Sequence, residues 1–314
     1  MEYQLSLNIV MDTNVKDTRK GRASISLQGG LGNQLFQLCA GLQLMYSSNR
    51  NVFFFEQFLF NFGSKRRSLA IRELLHGLNC SRYFYLISFP LIMFGTKSKM
   101  RFVLNVPSDI DPSKMNSNFL FLNGWFQSYK LVSEVHRFLI ERFENSASFA
   151  PLVHVERINA VGVHLRFGDF ESSSKTRKYH GLTANSYFDD AIEYLKSNLT
   201  QIDKIIFVTD DLDRAKSTIN ELLSCRDSIP IEVISSKPIE DMAILSSCSG
   251  IVLSNSSFSW WAGYLGSTLR ASSVVAPRPW LAFESEFDQS LVAPRWHFIN
   301  RDILKVGGCN SCIH

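Results

Sequence analysis

The second half of the chain alternates short, β-branched apolar segments with longer amphipathic segments, and this alternation restricts the fold more than any other feature. Such spacing is typical of βαβ units, whose strands pair in parallel. It predicts a doubly wound parallel sheet covered by helices. The predicted strands are residues 161–165, 204–208, 231–234, 251–253 and 273–276, and the predicted helices are residues 185–196, 212–223, 239–247 and 258–266.

The first half is less regular and predicts a second, looser Rossmann-like unit. Its strand patterns cover residues 23–27, 52–55 and 119–122, and a strong helical pattern covers residues 128–143. The polar stretch 144–159 is the predicted hinge between the two units. The predicted division of the chain is a flexible leader (1–23), an amino-terminal domain (24–150), a carboxyl-terminal domain (151–300) and a tail (301–314).

Residues 250–266 read GIVLSNSSFSWWAGYLG and predict a buried strand, a turn rich in hydroxyl and amide groups, and a helix. Ser254, Asn255, Ser256 and Ser257 supply donors and N-cap candidates for a helix that opens near Phe258. Free backbone N–H groups and the positive end of the helix dipole attract an anion such as a diphosphate there. A plain helix cap followed by core tryptophans is the alternative interpretation.

Two further strand ends carry polar or glycine residues. The stretch VGVHLRFGDF delivers His164, Arg166 and Asp169 to the carboxyl end of a strand, where ligands of open α/β sheets bind. The stretch ISLQGGLGNQ gives a strand and then a turn whose glycines allow a ligand to approach the backbone. Its predicted ligand-facing residues are Gly29, Gly30, Gly32, Asn33 and Gln34. The turn is not a dinucleotide fingerprint, because Leu35 stands where the third glycine would fall.

The motifs GGLGNQLFQ, HLRFGD, FVTDD and NSSFSWW, in this order, resemble the family of α-1,2-fucosyltransferases that use GDP-fucose. The resemblance covers roughly residues 24–300, and NSSFSWW is its most specific motif. It implies the α/β GT-B architecture, in which two Rossmann-like domains face each other across a cleft. The carboxyl-terminal domain would bind GDP-fucose, and the amino-terminal domain would lie on the acceptor side. The glycine-turn residues named above are predicted to bind the donor as well. The family usually has two adjacent arginines before the Gly-Asp pair, whereas Phe167 occupies the second place here.

Fucosyl transfer breaks a sugar–phosphate bond while negative charge grows on the diphosphate, so the site must stabilise that charge most strongly in the transition state. Arg166 is the candidate, because its planar guanidinium can bind β-phosphate oxygens through two N–H groups. A purely structural pair between Arg166 and Asp169 is the alternative. Asp169 is either the general base for the acceptor hydroxyl or a residue that fixes the loop. The resemblance implies that His164 contacts the nucleotide, and a buried core histidine is the alternative.

Carboxylates also follow the predicted strand KIIFV directly. Asp210 and Asp211 are expected to accept hydrogen bonds from the guanine or ribose of the donor. Asp211-Leu-Asp213 matches the DxD manganese motif of other glycosyltransferases, but Asp213 fits better as a first-turn acid of the next helix. We therefore predict no metal and no cofactor besides the donor substrate. The phosphate ligands predicted at the serine-rich turn are Asn255, Ser256, Ser257 and Ser259.

The acceptor contacts are predicted from two short segments. Trp125 and Gln127 lie in GWFQSYKLV, and a core role is the alternative for the aromatic residues there. Tyr179 and His180 lie in a polar loop after the strand that carries Arg166.

Charge and composition exclude several classes of protein. The net charge is +4 and the isoelectric point is about 8.7, which suits an anionic nucleotide or membrane surface but is too weak to indicate nucleic-acid binding. No segment reaches the roughly 20 apolar residues that cross a bilayer, and the first 23 residues lack the apolar region of a signal peptide. We expect a cytoplasmic protein, with peripheral contact at the inner membrane face as an option. Cys309 and Cys312 form a lone CxxC pair, too few ligands for zinc.

The leading hypothesis is an inverting, metal-independent α-1,2-fucosyltransferase that joins fucose from GDP-fucose to a β-galactoside, in the synthesis of a surface polysaccharide such as an O-antigen unit. A fucosyltransferase with another linkage or acceptor is the alternative within the same class. Two other classes stay open at this point: a nucleotide-dependent oxidoreductase, which Leu35 argues against, and a catalytically silent sugar-binding protein.

Overall fold

A computed structural model of the protein describes residues 21–56, 69–80, 100–106, 119–168, 178, 180–181, 183–225, 227–282 and 286–302. In these residues, each half of the chain forms one parallel β-sheet. No helix in the described part is long and apolar enough to cross a membrane.

The amino-terminal sheet contains the first five described strands, and all of its pairings are parallel. The strands are β1 (Arg22–Leu27), β2 (Asn51–Glu56), β3 (Asn79–Cys80), β4 (Met100–Val106) and β5 (Phe119–Gly124). Helix α1 (Leu31–Ser47) packs against helix α2 (Tyr129–Glu144), and a 3-10 turn covers Arg72–Leu75.

The carboxyl-terminal sheet contains six described strands, again all parallel. The strands are β6 (Ile158–Leu165), β7 (Lys204–Thr209), β8 (Ile231–Ile234), β9 (Cys248–Val252), β10 (Ser273–Arg278) and β11 (His297–Asn300). The helices are α3 (Pro151–His154), α4 (Asn185–Asn198), α5 (Leu212–Glu221), α6 (Pro238–Ser247), α7 (Ser257–Leu269) and α8 (Glu286–Leu291), and a 3-10 turn covers Leu223–Cys225.

The strand orders place a topological switch point in each sheet. The carboxyl-terminal order is β11-β10-β9-β6-β7-β8, which is the classic Rossmann order and reverses between β6 and β9. The amino-terminal order is β3-β2-β1-β5-β4, which reverses between β1 and β5. Ligands of open α/β sheets bind outside the carboxyl ends of the strands at such a reversal. The predicted fold class, an α/β GT-B-like pair of Rossmann-like domains, is confirmed.

A continuous apolar core joins the two domains. Helix α1 is buried along almost its whole length, and its Phe36 ring lies 4.7 Å from the Trp260 ring and 5.1 Å from the Trp261 ring, measured between centroids. Both tryptophans are fully buried, so they pack the core as the alternative interpretation of this motif proposed. The Trp260 indole N–H donates to the carbonyl of Leu291 at 2.9 Å, which satisfies its one polar group.

The domains touch most closely where the first turn of α1 meets the first turn of α7. A methyl group on Gly32 would lie 2.5 Å from the carbonyl carbon of Ser257, a distance that real side chains do not adopt. The Trp261 indole N–H also donates to the Gly32 carbonyl at 2.9 Å. Glycine is therefore required at position 32 by helix–helix contact.

The connection between the sheets, where the polar stretch 144–159 predicts a hinge, is attached to the core at several points. Phe149 and Leu152 are buried in the shared core. The guanidinium of Arg270, the C-cap residue of α7, donates to the carbonyls of Leu152 at 2.7 Å and Val155 at 2.8 Å. The polar side chains are engaged as well, since Ser146 donates to a carboxylate of the amino-terminal domain at 2.7 Å. The two buried apolar side chains and these hydrogen bonds together hold the segment against the core.

The predicted helices and strands of both halves are confirmed, with bounds that differ by a few residues at most. The strands β3, β4 and β11 and the short helices α3 and α8 were not predicted. Most of the leader (residues 1–20), the apolar segment 83–95 and the tail from residue 303, with Cys309 and Cys312, lie outside the described residues.

Candidate functional site

The carboxyl-terminal switch point is bridged by a buried hydrogen bond. His164 is the second-last residue of β6 and Ser254 follows β9, and the His164 Nδ1 atom lies 2.7 Å from the Ser254 hydroxyl oxygen. The His164 ring also packs 5.0 Å from the Phe258 ring of α7, measured between centroids. These contacts lock the loop after β6 to the turn before α7, so both loops face the same crevice.

His164 is neutral at physiological pH. Burial, and then the positive charge of Arg166, lower the pKa of His164 to about 3. A neutral imidazole can donate from one ring nitrogen and accept at the other, which a charged one cannot do. His164 would therefore contact a ligand as an uncharged hydrogen-bond donor or acceptor.

Arg166 lies just beyond the end of β6 and forms an ion pair with Asp210, which directly follows the neighbouring strand β7. Its Nη1 atom lies 2.6 Å from Oδ2 of Asp210, and the two side chains are 20% and 26% exposed. The other carboxylate oxygen of Asp210 accepts the backbone N–H of Phe167 at 2.9 Å. The guanidinium is thus half-buried, held in place, and accessible to solvent in the crevice.

A cavity of about 450 Å³ opens beside Arg166 at the carboxyl ends of β6 and β9, between α4 and α5. This volume is in the usual range for small-molecule sites. The Arg214 guanidinium of α5 stands over the Phe167 ring at 5.2 Å from its centroid, which brings a second arginine to the same cavity. The lining residues are Leu165, Arg166, Phe167, Gly181, Thr183, Asn185, Phe188, Asp213, Arg214, Ser217, Thr218, Glu221, Ser254 and Asn255.

The serine-rich turn caps α7 and is itself tightly bonded. Ser256 is the N-cap, and its hydroxyl accepts the backbone N–H of Phe258 at 3.2 Å. Ser259 is fully buried and donates to the Ser254 carbonyl at 2.7 Å. Ser257 is the first residue of α7 and contacts the other domain through its backbone. Of this turn, Ser254 and Asn255 line the cavity, whereas Ser256, Ser257 and Ser259 serve the cap, the contact between domains and the core.

Asn255 and His180 meet across the cavity mouth. The Asn255 side-chain N–H donates to the His180 carbonyl at 2.9 Å. Arg301 donates to the same carbonyl at 2.7 Å and to the Thr183 hydroxyl at 2.9 Å. Burial, and then the charge of Arg301, lower the pKa of His180 to about 4. Arg301 was placed in the tail by sequence, but in the structure it anchors this loop.

The glycine turn lies at the amino-terminal switch point, directly after β1. Gly29 adopts a positive φ of 78°, and a methyl group there would lie 2.7 Å from the Asn33 amide nitrogen. Gly30 is the N-cap of α1. Gln34 is buried, donates to the Gly29 carbonyl at 2.9 Å and accepts the backbone N–H of Ala70 at 2.8 Å. Gln34 thus has structural partners on both sides of its amide.

Trp125 and Gln127 follow β5, across the same switch point from the glycine turn. The Gln127 side-chain N–H donates to the Asn33 amide oxygen at 2.7 Å. The Trp125 ring lies against Gly29 and is 45% exposed, which is unusual for a tryptophan. An exposed aromatic face at a strand end offers a platform for the apolar face of a sugar ring.

The carboxylates after β7 divide into different roles. Asp211 is the N-cap of α5, and its carboxylate accepts the backbone N–H of Arg214 at 3.1 Å. Asp213 lies in the first turn of α5, as predicted. The described residues contain no group of three or more metal-ligating side chains. Asp169 and Tyr179 lie outside the described residues.

Paired Rossmann-like domains, with polar residues at both switch points, define this protein as a GT-B-type α/β protein. It belongs to glycosyl transferase family 11, whose family model matches residues 9–300. The resemblance inferred from the sequence motifs is therefore confirmed at the level of the family.

Two curated relatives come from Escherichia coli. The chain is 34% identical to an α-1,2-colitosyltransferase over 41% of this chain and 42% of the relative, so the match spans less than half of that protein. It is 25% identical to the O-antigen biosynthesis glycosyltransferase WbnK over 82% of this chain and 94% of the relative.

Two solved structures are distantly similar. FUT1 of Arabidopsis thaliana, in complex with GDP, gives a TM-score of 0.41 at 14% identity and covers 82% of this chain and 70% of its own. The fucosyltransferase NodZ from Bradyrhizobium gives a TM-score of 0.43 at 14% identity and covers 78% of this chain and 93% of its own. The fold assignment stands on the strand orders given above.

Proposed function

We propose that this protein is an inverting, metal-independent α-1,2-fucosyltransferase that uses GDP-fucose and a β-galactoside acceptor to build a surface polysaccharide. The observation that carries the proposal is the position of Arg166 at the carboxyl-terminal switch point, in a member of glycosyl transferase family 11. A cytoplasmic location, peripheral to the membrane, belongs to the same proposal. The relatives support the linkage and the pathway class, since one is named an α-1,2-transferase and the other an O-antigen glycosyltransferase.

In this proposal, the diphosphate lies between Arg166 and the amino end of α7. The guanidinium would bind β-phosphate oxygens through two N–H groups. The first turn of α7 adds backbone N–H groups and the positive end of the helix dipole. Both favour the leaving diphosphate more as its charge grows, which is the requirement for transition-state stabilisation. These two groups would do the work that a metal ion does in other transferases.

The acceptor would lie on the amino-terminal side, against the exposed face of Trp125. Its hydroxyl attacks the anomeric carbon from the face opposite the diphosphate, which inverts that centre. Asp169 remains our candidate for the general base that takes the hydroxyl proton. His164, neutral and bonded to Ser254, would give the donor uncharged hydrogen bonds.

A second candidate is transfer of colitose, the 3-deoxy form of L-fucose, because one relative is named an α-1,2-colitosyltransferase. The two activities share the linkage and differ in one hydroxyl of the donor. Rates measured with GDP-fucose and GDP-colitose, with the same acceptor, separate them.

The deciding experiment measures GDP release from GDP-fucose with and without lactose, followed by linkage analysis of the product. Acceptor-dependent release with an α-1,2-linked product is the expected result. Arg166→Lys should lower kcat on the order of 100-fold because a point charge cannot bind two oxygens in one plane. Arg137→Lys, on an exposed face of α2, is the matched control and should retain full activity. Donor binding without transfer would favour another acceptor or a silent sugar-binding protein, and no binding of GDP would refute the assignment.

A further inference from the structure

Both carboxylate oxygens of Asp210 accept hydrogen bonds from the loop after β6. Its Oδ2 atom receives Arg166 Nη1 at 2.6 Å, and its Oδ1 atom receives the Phe167 backbone N–H at 2.9 Å. Both bonds join the residue directly after β7 to the loop directly after β6, and these two strands are neighbours in the sheet. One side chain at the end of β7 therefore fixes both the direction of the Arg166 guanidinium and the path of the backbone that follows it.

Gly168, the residue after Phe167, also lies against the Asp210 carboxylate. A methyl group on Gly168 would lie 2.5 Å from Asp210 Oδ2 and 3.3 Å from Arg166 Nη2. Glycine is thus the residue that lets the loop close over the ion pair. Three consecutive residues, Arg166, Phe167 and Gly168, owe their arrangement to Asp210.

We propose that Asp210 is a positioning residue that aims Arg166 at the donor diphosphate and does not itself contact the donor. This inference rests on the proposed function, because it takes the diphosphate as the ligand of Arg166. It replaces the expectation that Asp210 accepts hydrogen bonds from guanine or ribose. The two roles predict opposite effects on GDP affinity, so binding measurements distinguish them.

The sign of the effect follows from charge. A carboxylate beside the diphosphate repels it, so Asp210 lowers the affinity of the site for GDP. The same carboxylate holds the guanidinium before the donor arrives, so the guanidinium is not reoriented as charge grows on the leaving group. Asp210 therefore weakens ground-state binding and favours the transition state, and its removal should separate kcat from GDP affinity.

The test is Asp210→Asn, assayed for kcat with GDP-fucose and lactose and for GDP affinity by calorimetry. An asparagine has one carbonyl oxygen in place of two, so it can accept from Arg166 or from Phe167 but not from both in the present geometry. We expect kcat to fall about 10- to 100-fold, the loss typical of a misplaced catalytic group. The Kd for GDP should stay unchanged or become up to about 5-fold tighter, since a nearby negative charge is lost. A Kd that weakens 10-fold or more would overturn the proposal and restore the donor-binding role.

Two further variants isolate the geometry from the charge. Gly168→Ala keeps every charge but pushes the methyl group into the ion pair, so it should lower kcat in the same way and leave the Kd for GDP within about 2-fold. Wild-type kcat in this variant would overturn the proposal. Asp203→Asn removes an exposed carboxylate that lies before the amino end of β7 and should leave both quantities unchanged.

A double-mutant cycle makes the test independent of the transferase activity. Arg166→Ala, Asp210→Asn and the double variant are compared by urea unfolding without any substrate. Coupling between the two positions is expected, and its absence would refute the contact. If the wild-type enzyme shows no transfer while the coupling is present, the proposed function fails and the positioning contact survives, so the two failures are distinguishable.

Discussion

Substitution of Gly32 by alanine should separate a packing role of the GGLGNQ motif from a ligand-binding role. The added methyl group would lie 2.5 Å from the carbonyl carbon and 2.6 Å from the carbonyl oxygen of Ser257, and 2.7 Å from the backbone nitrogen of Phe258. All three atoms belong to the backbone of α7, so no side chain can turn aside. The first turns of α1 and α7 must therefore move apart by nearly 1 Å to reach ordinary contact, which begins at 3.4 Å.

The magnitude follows from three effects. Overpacking typically costs about 1–3 kcal/mol, and contact with backbone belongs at the upper end. Separation of the helices also weakens the buried hydrogen bond from the Trp261 indole to the Gly32 carbonyl, a loss of about 1–3 kcal/mol when complete. Alanine regains up to about 1 kcal/mol over glycine in helix propensity. We expect Gly32→Ala to lower the free energy of unfolding by about 3 kcal/mol.

The assay is equilibrium urea unfolding followed by tryptophan fluorescence. Gly263→Ala is the matched control, because it adds the same methyl group to a helix but its nearest neighbours are side-chain atoms, the end of Leu253 at 3.0 Å and the Trp296 ring at 3.2 Å. These side chains can shift by a few tenths of an ångström, so the cost should stay within about 1 kcal/mol. If Gly32→Ala unfolded at the wild-type urea concentration and instead lost affinity for GDP, the packing argument would be refuted and the glycine would serve the ligand.

Three more outcomes are expected. Thr218→Trp should fill the cavity beside Arg166 and lower kcat/KM at least about 10-fold. Lys216→Trp, which is exposed on another face of α5 and does not line the cavity, should leave kcat/KM unchanged, and equal kcat/KM values for the two variants would show that the substrate does not use the cavity. The pKa of His164 is about 3 in the folded protein and about 6.5 in the unfolded chain, so the unfolded chain takes up a proton first as the pH falls. The free energy of unfolding should therefore decrease as the pH drops from about 6.5 towards 3. His164→Asn should make this pH dependence weaker, as measured by urea unfolding at several pH values. Excess EDTA should leave transfer unchanged, and a strict requirement for added manganese would revive the DxD interpretation of Asp211 and Asp213.

Sequence patterns predicted the regular elements of the carboxyl-terminal half best. Its central strands β6, β7 and β9 are short apolar runs that are buried along most of their length, and its helices have clear apolar stripes, so the local signal matches the tertiary environment. The unpredicted strands β3 and β11 are only two and four residues long, too short to show a period. Strand β4 pairs on one side only, at the edge of its sheet, and its place there depends on β5.

The candidate site was predicted in outline by the same reasoning. Parallel strands end at one edge of a sheet, so the polar residues after β6, β7 and β9 had to gather at one edge of the carboxyl-terminal sheet, and those after β1 lie at the corresponding edge of the amino-terminal sheet. The sequence also predicted Arg166 as a site residue and the cap of α7. It did not predict that Arg214 or Arg301 lies at the site, because no local feature of an arginine on a helix or after a strand indicates what its side chain faces.

The sequence by itself determined the fold class, the order of the elements and the edge at which ligands would bind, because hydrophobic period and turn chemistry are local properties. Only the tertiary structure decided the use of individual side chains. Gly32 meets Ser257 of the other domain, Gln34 bonds to residues 29 and 70, and Asp210 holds Arg166 from the next strand. Those partners are set by proximity in three dimensions. A glycine, an amide or a carboxylate contacts a ligand and a neighbouring residue through the same chemistry, so its residue type alone does not distinguish the two uses.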